Sequence, residues 1–83
     1  MNNIKHLLVS VNSSNIDTIR YTPSAQILIV HFHSGGVYRY SDVPVLEFQK
    51  LIAAESIGKH FAENIKTKYK YMALKAEQEK LVL

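Results

Sequence analysis

The sequence predicts a small α+β domain: an antiparallel β-meander of about three strands, with two helices packed on one of its faces and a helical C-terminal tail. Three observations carry this reading. Residues 26–41 set two runs rich in β-branched and aromatic residues, 27–32 and 37–40, on either side of a Ser34-Gly35-Gly36 turn, as expected of a β-hairpin. From residue 45 to residue 69 the apolar positions recur every three or four residues instead, the period of an amphipathic helix. Residues 72–80 are strong helix formers without a breaker, so a helical tail is expected, continuous with the helix before it.

The elements follow in chain order. Residues 7–11 form a short apolar run with β-branched members, bounded by the polar cluster of residues 12–15, which predicts a strand or strand-like lead-in and then an irregular corner. The second strand is expected over residues 18–22, with Ile19 and Tyr21 on one face. Pro23 lacks an N–H for a ladder and belongs in the connection. Pro44 suits a first helical position, and Val45, Phe48, Leu51 and Ile52 mark a helix of about three turns. Ser56 caps a second helix in which Ile57, Phe61, Ile65 and Tyr69 fall on one stripe.

The hairpin register decides what its side chains can do. With Ser34-Gly35-Gly36 as a three-residue loop, Phe32 lies opposite Tyr38 and Val30 opposite Tyr40. Leu28, Val30, Phe32, Tyr38 and Tyr40 then share one face, on which both helices pack, while Ile27, Ile29, His31, His33, Val37 and Arg39 share the other. A two-residue Gly35-Gly36 turn would mix tyrosines with histidines, so the register that separates polarity is preferred. It turns the tyrosines inward and leaves His31, His33 and Arg39 as what the hairpin offers a partner.

Length and composition bound the function. A chain of 83 residues with 47% hydrophobic residues is one domain, with its core in residues 10–71 and its tail in residues 72–83. Such a chain buries about 60–65% of its unfolded surface, so its core is modest. The absence of cysteine removes disulfides, thiolate metal sites and thiol catalysis, and suits a reducing compartment such as the cytoplasm. No apolar stretch approaches the roughly 18 residues of a membrane span, and the N-terminal run is too short for a secretion signal with no small-residue cleavage site after it. No membrane partner is expected.

The strongest chemical signal is the basic and aromatic run of residues 66–71. Residues 59–75 hold five lysines and one glutamate, a local charge of +4 against +3 for the whole chain. Lysines neutralise phosphates with release of counterions and tyrosines stack on unpaired bases, so Lys59, Lys66, Lys68 and Lys70, with Arg39, are the candidate nucleic-acid-binding residues. The same lysines also read as the ordinary solvated face of a helix. His31 and His33 lie two apart on a strand, a spacing used by metal sites, but no third ligand can be placed and no metal is expected. They are instead candidate partner-contacting residues, together with Leu74 and Leu81 of the tail. Ser13 and Ser14 read as corner hydrogen-bonding residues, the carboxylates form no evident catalytic pair, and neither an enzyme nor a cofactor is expected.

The ordered set Ser13-Ser14-Asn15-Ile16, Ile19, Tyr21, Leu28-x-Val30-x-Phe32, Gly35, Tyr38-x-Tyr40, Val43-Pro44, Phe48, Ser56-x-Gly58, Phe61 and Ile65-Lys66 through Tyr69 resembles the KTSC domain. The likeness spans about residues 10–71, and Ala62 stands where an asparagine is expected. That short module occurs alone in bacterial and phage proteins and at the C-terminus of some lysyl-tRNA synthetases. The resemblance, through the synthetases it accompanies, implies RNA binding, and with the residue reading above the expectation is a small non-catalytic binding module with a tRNA-like RNA as its partner. The alternative is a protein-interaction or assembly module, phage- or mobile-element-encoded, that uses the open sheet face or the C-terminal helix to hold a protein partner or a second copy of itself.

Overall fold

The computed structural model describes residues 6–74. Five strands and two helices follow one another as β1 (Leu7–Ser10), β2 (Ile16–Thr22), β3 (Ile27–Phe32), β4 (Val37–Tyr40), α1 (Val45–Ala53), α2 (Ile57–Asn64) and β5 (Tyr71–Ala73). The strands form one antiparallel sheet in sequence order, so the meander has five strands and not about three.

The additional strand β5 lies where the C-terminal helix was expected to begin. Tyr71–Ala73 pairs with β4, Tyr71 opposite Tyr40, and Leu74 N–H donates to the Val37 carbonyl at 2.8 Å. Helix propensity loses because β4 would otherwise present an unpaired edge, and pairing it satisfies several backbone groups at once. Continuity with α2 also fails. The N–H groups of Ile65 and Lys66 both donate to the Phe61 carbonyl, which closes α2. The remaining tail, with Leu81, lies outside the described residues.

The hairpin register is displaced from the expected one while its faces are kept. Val30 lies opposite Tyr38 and Leu28 opposite Tyr40. Phe32 N–H donates to Gly36 O and Gly35 N–H to Phe32 O, both at 2.9 Å, so the three-residue loop is His33-Ser34-Gly35. Gly35 takes φ +101°, which glycine adopts without a Cβ penalty, and the Tyr38 ring lies where a Cβ on Gly36 would meet it at 3.2 Å. A displacement by an even count leaves every side chain on its original face.

A β-bulge accounts for another feature of the core. Ile16 pairs with Phe32 and Thr18 with His31, so Asp17 is an extra residue in β2. Ile16 and Ile19, an odd number apart, are thereby both fully buried on the face that also holds Tyr21. The core forms between this face and the helices, from Ile16, Ile19, Tyr21, Leu28, Val30, Tyr40 and Val43 against Phe48, Leu51, Phe61 and Ile65. Each such fully buried side chain contributes about 1.5–3 kcal/mol relative to exposure.

In α1 the apolar stripe is narrower than its spacing suggested. Phe48 and Leu51 are buried, whereas Val45 and Ile52 are exposed, and Pro44 is the capping residue ahead of the helix rather than its first member. Phe48 stacks on Tyr21 with ring centroids 4.4 Å apart and planes 10° from parallel. The Tyr21 hydroxyl donates to the buried Val43 carbonyl at 2.6 Å, and Val43 N–H donates to Gln26 O at 2.8 Å. Val43 is thus held from both sides, and with it the point where the chain leaves the sheet for α1. The helices are joined by Glu47 and His60, whose side chains meet at 2.8 Å. Ser56 caps α2 as expected, its hydroxyl accepting from Lys59 N–H at 3.3 Å.

Candidate functional site

α2 covers only part of the tyrosine face, and the uncovered part is a cavity. Phe61 on α2, Phe32 on β3, Tyr38 and Tyr40 on β4, and Tyr71 on β5 are linked in a closed circuit of ring contacts. Phe61 meets Phe32 at 5.7 Å and Tyr40 at 5.3 Å, both edge to face; Phe32 meets Tyr38 at 5.7 Å, edge to face; and Tyr71 meets both Tyr38 and Tyr40 at 5.7 Å. These five residues, with Tyr69, line an open cavity of about 700 Å³, within the size range of small-ligand sites. Asn15, Ser34 and Thr67 add polar groups to its lining, and Gly58 and Ala62 add small ones. Among the described residues, Lys66 is its one charged lining residue and none is acidic.

Local structure explains each position. Period-two alternation puts Tyr38 and Tyr40 on the cavity side of β4, and the antiparallel register sets Tyr71 beside Tyr40. The end of α2 at Asn64 then brings the turn carrying Lys66, Thr67 and Tyr69 to the cavity. Burial pushes the Tyr40 hydroxyl up to about 12, with the neighbouring phenols of Tyr71 and Tyr38 adding to the effect, so it stays a neutral hydrogen-bonding group at physiological pH.

The candidate nucleic-acid residues divide between the two sides of the sheet. Lys66 lines the aromatic cavity, and Lys68 and Lys70 are exposed on the segment leading from it to β5. Lys59 is exposed in the first turn of α2 and lines a smaller hollow of about 350 Å³ with Ser13, Ser14 and Ser56. Arg39 alternates with the tyrosines and so lies on the other sheet face, with Ile29 and Met72 as its cross-strand neighbours. Its guanidinium reaches the Met72 sulfur at 4.0 Å. The expected continuity of Arg39 with the lysines does not form.

The histidine pair is also separated. β3 ends at Phe32, so His33 lies in the turn, where its ring Nε2 meets Ser13 O at 3.1 Å and its N–H donates to Asn15 O. His31 stays on β3, on the face of Arg39, so the two imidazoles do not share a strand face as their spacing suggested. Leu74 is half-buried beside β4. Ser13 behaves as a corner residue, its hydroxyl accepting from the N–H groups of Asn15 and Ile16 at 3.3 Å, while Ser14 donates to Asn15 Oδ1 at 2.8 Å.

Sequence reasoning missed Phe32, Phe61 and Ala62 as lining residues, because Phe32 and Phe61 read as core and Ala62 was noted only as standing where an asparagine is expected. Tyr71 carried a signal in the alternation of lysine and tyrosine over residues 66–71, the pattern of a strand approach more than of a helix.

The chain is 42% identical over 64 residues to an uncharacterized protein of Stutzerimonas stutzeri, covering 76% of this chain and 90% of that one. It is 37% identical over 67 residues to a lysine–tRNA ligase of a Nostoc species, covering 81% of this chain but only 12% of the ligase. In three dimensions it resembles the crystal structure of a KTSC domain protein from Yersinia pestis, with a TM-score of 0.81 and 31% identity over 86% of this chain and all of that one. The sequence pattern of the KTSC domain matches residues 12–69. With a family match over residues 12–69 and the fold of a solved KTSC domain protein shared at 31% identity, the chain belongs to the KTSC domain family.

Proposed function

We propose that this chain is a non-catalytic RNA-binding module that takes single-stranded RNA along the segment joining α2 to β5. Lys66, Lys68 and Lys70 neutralise phosphates, Lys59 extends the basic track along α2, and the aromatic cavity receives unpaired bases. The observation that supports this best is the position of Lys66, which puts a phosphate-binding cation in the lining of an open aromatic cavity that has no acidic group among the described residues. The presence of related sequence within lysine–tRNA ligases, proteins named for a reaction on tRNA, supports a tRNA-like partner.

Fluorescence anisotropy of a labelled single-stranded RNA tests this. Four phosphate contacts give a slope of log affinity against log salt of about −3, and Lys66→Ala makes it shallower by about 0.7. Binding that is absent at low salt, or that does not vary with salt, would refute the proposal. A second reading, self-association through the other sheet face, draws on the exposure of Leu8 (65%) and Met72 (46%) there. Light scattering separates the two, because self-association requires a mass that rises with concentration and falls in Leu8→Glu.

A further inference from the structure

We infer that the five-ring cavity is a pocket for one unpaired nucleobase, with two-ring bases held more tightly than one-ring bases. This deepens the RNA reading and rests on it.

The cavity differs from a general basic surface in three respects. Its walls are ring faces and edges from three strands and a helix, fixed by mutual contacts at 5.3–5.7 Å, so it is already formed before a ligand arrives. Its volume of about 700 Å³ exceeds what a backbone phosphate needs, and away from Lys66 its walls are mostly aromatic rings, which offer a phosphate little. A planar base does use such walls, because every base has a π-face and its edge can meet the hydroxyl of Thr67 or the amide of Asn15. A paired base is stacked on both sides and cannot enter, which selects single strands, loops and ends.

Charge and shape then fix the orientation. Lys66 is the one cation among the described lining residues, so the phosphate attached to the base lies at that side. Ala62 is exposed, lines the same cavity and leaves room there that a longer side chain would fill. A two-ring base covers more of the aromatic wall than a one-ring base, hence the preference.

The test uses the full chain and a backbone of nine abasic ribose phosphates, either without a base or with a single central 2-aminopurine or uracil. The 2-aminopurine probe is expected to bind about five- to a hundredfold more tightly than the base-free backbone, with its fluorescence quenched on stacking. Tyr71→Leu, which keeps an apolar side chain but cannot stack, and Ala62→Leu, which fills the cavity from an exposed helix position, each bring that ratio below about twofold. Equal affinities without quenching would overturn the base pocket while leaving phosphate binding in place. A uracil probe that binds as tightly as 2-aminopurine would overturn the two-ring preference. Failure of all three probes and of natural single-stranded RNA would overturn the pocket and the RNA reading together.

Discussion

Removing the Tyr21 hydroxyl tests how the helices are fixed over the sheet. In Tyr21→Phe the ring keeps its stacking on Phe48, but the Val43 carbonyl loses the donor that reaches it at 2.6 Å. Val43 is fully buried, and so is Tyr21, which leaves water little means of replacing the lost partner. An orphaned buried carbonyl costs about 1–3 kcal/mol, more than the roughly 1 kcal/mol net value of an average hydrogen bond. For a domain of this size that corresponds to a fall of about 4–8 °C in Tm per kcal/mol, or about 1 M in urea midpoint per kcal/mol at the low end of m-values for small proteins. Chemical and thermal denaturation followed by circular dichroism measure it. A midpoint within error of the unmodified chain would refute the argument that this bond anchors the turn into α1.

Other perturbations act on single features. Ser56→Ala removes the cap that accepts from Lys59 N–H and is expected to cost about 1 kcal/mol by urea titration. Gln26 is held at φ 55°, a left-handed conformation unfavourable for a side chain, so Gln26→Gly is expected to stabilise by up to about 1 kcal/mol, and a lower Tm would contradict this. Burial raises the Tyr40 hydroxyl from 10.0 to about 12, with Tyr71 and Tyr38 reinforcing it. Its folded value lies above its unfolded one, so stability is fully present below pH 10 and falls by at most about 3 kcal/mol as pH rises from 10 through 12. A stability profile against pH should be flatter over that window in Tyr40→Phe.

Which side chains share a face was legible in the chain, because a strand alternates with period two and a helix repeats every three or four residues whatever surrounds them. Leu28, Val30, Phe32, Tyr38 and Tyr40 were grouped correctly even though the loop and the pairing were displaced, since an even displacement preserves the faces. The lysine and tyrosine alternation over residues 66–71 likewise marked the segment that carries Lys66, Tyr69 and Tyr71 to the cavity. Other features depended on distant partners. Tyr71–Ala73 became a strand because the edge of β4 lay open beside it, a condition no local propensity encodes. Asp17 became a bulge because Ile16 and Ile19 both enter the core. The cavity exists because α2 ends at Asn64 and covers the tyrosine face only partly, so residues that a linear reading assigns to the interior line an opening instead. Periodicity settles which way a side chain points; how much of it is then covered depends on where elements distant in sequence come to rest.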